Sequence, residues 1–168
     1  VVVGHGMVGH RLVQAAVERG LTETYDVVVV GEEQRAAYDR VALTSFFELG
    51  ADALSLMPGG VYDDPRVRLL LGTSVQGFDP ETRTVLLADG TVLEYDELVL
   101  ATGAAPFVPP VPGHDLPGCF VYRTIQDLEA IRDAAATATT GAVVGGGLLG
   151  LEAANALAQL GLRTSVVE

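Results

Sequence analysis

The chain of 168 residues closes on the pattern with which it opens. Three valines lead into Gly4, Gly6 and Gly9 at G-x-G-x-x-G spacing, then an apolar stretch runs to Gly20, and YDVVVVGEE follows (25–33). Residues 141–168 repeat the order: GAVV, then Gly145, Gly147 and Gly150, an apolar stretch to Gly161, and RTSVVE. Each copy reads as strand, glycine turn, helix, strand, acid, which is a βαβ unit. An internal repeat of this kind is one supersecondary unit used twice, so it constrains the fold more than either copy alone.

The three glycines have separate tasks. The first permits a tight turn, the second lets the backbone approach a pyrophosphate, and the third lets helix and strand pack closely. The helix N-terminus then offers free N–H groups and a partial positive charge to the phosphates. An acid about 20 residues further on should hold the ribose hydroxyls; Glu32 and Glu168 stand where the next strands end. A single G-x-G-x-x-G is weak evidence. Two copies, each with its strands, helix and acid, predict two dinucleotide sites and argue against a chance Gly-rich turn. Hydride transfer from a nicotinamide to a flavin is the usual chemistry that needs two.

Within the first copy, Val8, Leu12 and Ala16, with Val13 and Val17 one residue offset, recur at helical spacing, and Gly20 caps the end. The valine run 27–30 is apolar on both faces and predicts a covered parallel strand. Residues 34–60, ending in MPGG, are irregular, and RVRLLLG (66–72) is another strand. SVQGF, RTVLLA and TVLEY, separated by DPET and by Asp89-Gly90, form an antiparallel meander. ELVLATG (97–103) returns to a buried strand, and five prolines from Pro106 to Pro117 make a stiff, extended linker. TIQDLEAIRDAAA (124–136) is a helix with Thr124 as N-cap and Asp127 three residues on.

Formal net charge is −12, and all ten basic residues are Arg. Such acidity disfavours nucleic acid and anionic lipid as partners. The lone Cys119 excludes an internal disulfide and a Cys-ligated iron–sulfur cluster in this chain and reads as a small buried side chain. No transmembrane run or signal peptide is visible, and a reducing cytoplasm is the expected compartment. The chain opens on Val inside a strand, as expected of a piece of a longer protein. His5, His10 and His114 have no metal-ligand spacing, so no metal is assigned.

The segments YDRVALTSFF, LVLATGAAPFVPPVPGHDLPGCFVYRTIQDLEAI and VVGGGLLGLEAANALAQLGL give the chain a family resemblance along its whole length. It resembles the two-dinucleotide flavoprotein reductases, and among them the N-terminal part of assimilatory NAD(P)H nitrite reductase large subunits. The resemblance implies an α/β fold. A Rossmann-like FAD domain with a parallel sheet and a meander (1–110) is joined by a Pro-rich linker and helix (111–140) to the first βαβ part of an NAD(P) domain (141–168). It implies electron flow from NAD(P)H to FAD, then to siroheme and an iron–sulfur cluster further along the chain. It also implies FAD contacts at Gly4, Gly6, Met7, Gly9, Glu32, Arg40, Val75, Ala101, Thr102, Gly103 and Arg123. Gly145, Gly147, Leu148, Leu149, Gly150, Glu152 and Glu168 would serve NAD(P)H. A second unit ending at its second strand is expected to bind NADH poorly, and FAD weakly, by itself.

Plainer readings stay beside these. Arg40 is a candidate for a surface ion pair with Asp39, and Arg123 for an anchor of the linker. His5, inside the glycine loop, is expected to pack or hydrogen-bond rather than catalyse, and no catalytic side chain is assigned. Glu152, on the first helical turn, either orients a nicotinamide or favours the helix N-terminus. In similar reductases its partner is a Lys; that position here is Ser45. Glu168 accepts from a 2′-hydroxyl and repels a 2′-phosphate, which favours NADH. A stand-alone ferredoxin- or rubredoxin-type reductase and a non-catalytic FAD-binding redox sensor are the alternatives.

Overall fold

The computed structural model describes residues 1–57 and 60–168. The chain forms two compact units, each discontinuous in sequence: Val1–Asp39 with Ser55–Ala104, and Arg40–Leu54 with Ala105–Glu168.

The first unit is built on a four-stranded parallel sheet. Strands β1 (Val2–Val3), β2 (Val27–Val30), β3 (Val67–Leu70) and β7 (Val99–Leu100) lie in the order β3-β2-β1-β7. Helix α1 (Met7–Glu18) joins β1 to β2. Val13 and Val29 are wholly buried in one cluster with Val2, Val27 and Val67. Each such side chain contributes about 1.5–3 kcal/mol of transfer free energy. The meander, β4 (Val75–Asp79), β5 (Thr84–Leu87) and β6 (Val92–Glu94), is antiparallel as expected. Its Val85 and Leu87 pack with Val30 in a second cluster. Asp89 closes the β5–β6 turn by accepting from the Thr91 N–H at 2.9 Å, with Gly90 at φ +85°.

Three expectations need correction here. The core face of α1 is Gly9, His10 and Val13 with Val17, whereas Val8 and Leu12 are exposed. Of the two offset apolar rows, only one faces the sheet. Strand β7 is short and exposed, not buried: it forms one edge of the four-stranded sheet, and its Val99 and Leu100, unlike Val67 on the opposite edge, belong to neither buried cluster. Val28 in β2 is only half-buried.

In the second unit, β8 (Thr140–Val144) and β9 (Arg163–Val167) pair in parallel, connected by α4 (Leu148–Gln159). Helix α3 (Ile125–Ala135) begins in a complete capping box: the Asp127 N–H donates to the Thr124 hydroxyl, and the Thr124 N–H donates to the Asp127 carboxylate. The stretch predicted as irregular supplies a turn at Leu43–Ser45, the short helix α2 (Phe46–Leu49) and a turn at Asp52–Leu54. Phe46 is buried, with the Arg132 guanidinium 5.4 Å from its ring centroid. Of the MPGG stretch, residues 58 and 59 lie outside the described residues.

The Pro-rich segment is not extended throughout. From Val111 to Cys119 it turns repeatedly, with Gly113 at φ +89° and Gly118 at φ +92°. Prolines fix their own φ, but the glycines between them reverse the chain. Cys119 is exposed rather than buried, its thiol 3.4 Å from the Gly113 carbonyl, because this segment contributes little to either core.

Candidate dinucleotide sites

At the first corner, Gly4 leaves β1 at φ +110°, and its N–H donates to the Val30 carbonyl at 2.8 Å. A Cβ on Gly4 would strike the Ala101 carbonyl, and one on Gly9 would strike the Gly4 carbonyl. These two glycines are required by close backbone approach. Gly6 differs: a Cβ there would meet nothing within 4 Å, so the loop presents bare backbone to an open side. Helix α1 has no side-chain cap and no acid in its first turn, so its leading N–H groups have no carboxylate competing for them.

The second corner has the same construction. Gly145 leaves β8 at φ +111° and donates to the Val167 carbonyl at 2.8 Å. A Cβ on Gly150 would strike the Gly145 carbonyl, while one on Gly147 would meet nothing. Helix α4 likewise lacks a side-chain cap and an acid in its first turn. Leu148 and Leu149 open this helix with exposed side chains. An open cradle of bare backbone, backed by an uncapped helix N-terminus, is what a pyrophosphate needs. Both corners therefore fit a dinucleotide.

The two acids are not equivalent. Because Gly4 pairs with Val30 as Gly145 pairs with Val167, Glu168 stands in the place of Gly31, and Glu32 lies one residue further out. Both carboxylates are on exposed residues. That of Glu168 lies directly over the Gly146 backbone.

The other predicted residues divide between the units. Ala101 is fixed to the first corner, its N–H donating to the Val3 carbonyl at 2.7 Å, and Thr102 and Gly103 follow it, exposed. The Thr73 N–H donates to the Gly31 carbonyl at 3.1 Å, which brings the start of β4, and Val75, beside the Glu32 segment. Val75 points its side chain into the Val30 cluster, leaving only backbone for a ligand. Met7, half-buried, opens α1. Arg40 and Arg123, both half-buried, belong to the second unit.

Glu152 is the fifth residue of α4, not part of its first turn, because the helix starts at Leu148. The helix-dipole reading is weakened accordingly. Its partner is a hydroxyl: Tyr122 donates to Thr44 at 3.2 Å, and Thr44 donates to the Glu152 carboxylate at 3.4 Å. Thr44 immediately precedes Ser45. Burial, above all, pushes the Tyr122 phenol up.

Tyr62 was not legible as part of the first corner. Its hydroxyl lies 2.6 Å from Nε2 of His5 and 3.2 Å from Nδ1 of His10. Burial, with His10 beside it, lowers the His5 imidazole to about 4, and burial pushes the Tyr62 phenol up to about 12. His10 is lowered by burial and by Arg11. All three groups are therefore neutral at pH 7. Among the described residues no group of His, Cys, Asp and Glu could hold a metal, and no helix is long and apolar enough to cross a membrane.

The family model of the pyridine nucleotide-disulphide oxidoreductases matches residues 1–168. The chain belongs to that family. These oxidoreductases bind FAD and NAD(P)H, in keeping with two glycine corners. The chain is 56% identical over its full length to the nitrite reductase [NAD(P)H] large subunit of Klebsiella oxytoca. It is 44% identical, over 99% of its length, to the nitrite reductase (NADH) large subunit of Escherichia coli. It spans 18% and 20% of those two proteins. Among solved structures, a ferredoxin reductase from Rhodopseudomonas palustris is 30% identical with a TM-score of 0.86, over 98% of this chain and 41% of that one. The NADH:rubredoxin oxidoreductase of Clostridium acetobutylicum shares the fold at TM-score 0.84 and 23% identity, over 98% of this chain and 43% of that one.

Proposed function

We propose that this chain is the electron-input part of a nitrite reductase, taking electrons from NADH into FAD and passing them on for the reduction of nitrite to ammonia. The observation that carries the reading is the pair of matching open corners in a chain 56% identical, end to end, to a nitrite reductase large subunit. The proposed domains are FAD-binding (1–110), linker and helix (111–140) and the first part of an NAD(P)-binding domain (141–168), with Arg40–Leu54 returning to the second unit. Hydride transfer is supplied by the bound cofactors. The protein's residues bind and orient them.

Gly4, Gly6, Met7 and Gly9 offer backbone to the FAD pyrophosphate, Glu32 faces its ribose, and Ala101, Thr102 and Gly103 close on it. Val75 contributes backbone; Arg40 and Arg123 supply guanidinium donors. Gly145, Gly147, Leu148, Leu149 and Gly150 receive the nicotinamide dinucleotide, with Glu168 on its ribose. The Glu168 carboxylate over the glycine loop favours NADH over NADPH. Glu152, held by Thr44, orients the nicotinamide. Siroheme and an iron–sulfur cluster are expected in the remainder of the longer protein, and the cytoplasm is its compartment.

The test is the full-length protein as purified. Flavin absorbance with a siroheme signature, bleaching by NADH and nitrite-dependent NADH oxidation are expected. A flavoprotein that NADH bleaches but that lacks siroheme and ignores nitrite would establish the second reading, a ferredoxin- or rubredoxin-type reductase, which the 30% identity to the Rhodopseudomonas palustris enzyme favours. Flavin that NADH does not bleach would leave a redox sensor.

A further inference from the structure

In a Gly-x-Gly loop only the middle residue has a side chain with which to fasten the loop from inside. In the first corner that residue is His5, and it is 8% exposed. Its Cβ packs on Gly31, where any added Cβ would come within 2.9 Å of it. Its ring turns to Tyr62, from the Val61–Asp63 turn, and Tyr62 turns also to His10 on α1. The three side chains thus join the loop, the helix it feeds and a segment that is remote in sequence.

The hydrogen-bond directions follow from counting protons. A tyrosine hydroxyl has one proton to donate and lone pairs to accept with. The Leu56 carbonyl favours an N–H on His10. With Nδ1 of His10 facing Tyr62, that N–H falls to Nε2, and Nδ1 is left as an acceptor. Tyr62 then donates to His10 and accepts from Nε2–H of His5. This leaves Nδ1 of His5 bare, and it is the buried side-chain atom without a hydrogen-bond partner among the described residues. The opposite order would bury an unpartnered N–H there, which folded proteins avoid more strictly than a spare lone pair.

We propose that Tyr62 is the positioning residue of the first corner: it fixes the His5 ring through a directed relay, His5 to Tyr62 to His10, and through His5 it holds the Gly4–Gly6 backbone in the shape that receives the dinucleotide's pyrophosphate. The inference rests on the reading of this corner as the FAD site. The relay touches no reacting atom. It acts on affinity for FAD, not on electron transfer once FAD is bound.

The experiment measures FAD affinity of the full-length protein after removal and titration of FAD, with histidine nitrogen NMR on the wild type. Tyr62→Phe should weaken FAD about five- to tenfold, the effect of losing one or two neutral hydrogen bonds, with the rate of flavin reduction at saturating FAD unchanged. His5→Gln, which keeps a donor at the Nε2 position, and His10→Asn, which keeps an acceptor at the Nδ1 position, should bind within about twofold of the wild type. His5→Leu and His10→Leu should resemble Tyr62→Phe. NMR should show both wild-type rings neutral with the proton on Nε2.

Equal affinity in Tyr62→Phe and the wild type would overturn the proposal while leaving the FAD reading intact. So would His5→Gln as weak as His5→Leu, which would reduce the ring to packing. A proton on Nδ1 of His10 overturns the relay without any variant, should Tyr62→Phe fail to fold. A wild type that takes up no FAD removes the FAD reading and this proposal together.

Discussion

The two glycine corners share a backbone and divide one space in opposite ways. In each, the residue between the first two glycines faces the residue that follows the second strand. In the first corner the loop residue is large and its neighbour is bare: His5 against Gly31. In the second the loop residue is bare and its neighbour is large: Gly146 beneath Glu168. At the first corner the fixed Cβ of His5 leaves no room for a side chain at Gly31, whereas at the second it is the mobile end of Glu168 that fills the space over Gly146. The first corner uses the space to anchor its loop from inside, and its acid, Glu32, stands one residue further along. The second uses the space for the acid itself and leaves its loop without an internal anchor. This suits a tightly retained cofactor at one corner and one that comes and goes at the other.

The largest test of this contrast is at the leading glycines. Gly4→Ala adds a Cβ against the Ala101 carbonyl at a backbone angle that L residues avoid, and should cost about 3 kcal/mol or more. Gly145→Ala has the same angle but open space and should cost about 1–3 kcal/mol. Denaturant unfolding of both variants would show the difference; equal losses would mean that the corners are equally enclosed.

Acid should separate them next. Folded His5 stays neutral down to about 4, while the unfolded side chain takes a proton near its ordinary 6.5. Between those values the unfolded state binds more protons, so the contribution is complete above pH 6.5 and is lost as pH falls toward 4. The loss reaches about 3 kcal/mol at its limit. Hydrogen-exchange protection factors, corrected for the intrinsic pH dependence of exchange, should therefore fall in α1 before α4 on acidification, and His5→Gln should flatten the dependence. The smallest effects belong to the acids. Glu32→Ala should weaken FAD, and Glu168→Ala should weaken NADH, each by about 1–3 kcal/mol. Only Glu168→Ala should narrow the preference over NADPH. An NADH-to-NADPH ratio unmoved by it would detach Glu168 from the ribose.

The elements of the fold were legible because local chemistry fixes them. Glycine spacing marked both corners, Asp89-Gly90 marked the hairpin, and Thr124 with Asp127 marked the start of α3. What escaped was whatever depends on the second partner of a contact. Val8 and Leu12 have the same helical period as Val13, and only the sheet decides which row is covered. ELVLATG is as apolar as a central strand, yet strand order makes it an edge. Cys119 is a residue type usually buried, placed where turning glycines and prolines build little core. At the candidate sites the glycines and acids could be read directly. Tyr62, Thr44 and Tyr122 could not, because each arrives from a separate segment and carries no spacing to announce it. The exchange of His5 and Gly31 for Gly146 and Glu168 was present in the letters but has meaning only once strand register is known.

The segment Arg40–Leu54 is made early but belongs with residues made late. Phe46 finds its cover beside Arg132 only after α3 has been synthesised. While the ribosome is still extending the chain, the first unit has its sheet strands through Leu100 in hand, but this aromatic-bearing stretch has nowhere to go. During that interval Phe46 is without its cover from α3 and is open to chaperones or to a neighbouring nascent chain. Slow translation through the linker would prolong this vulnerable stage, and the yield of folded protein should depend on how quickly α3 follows.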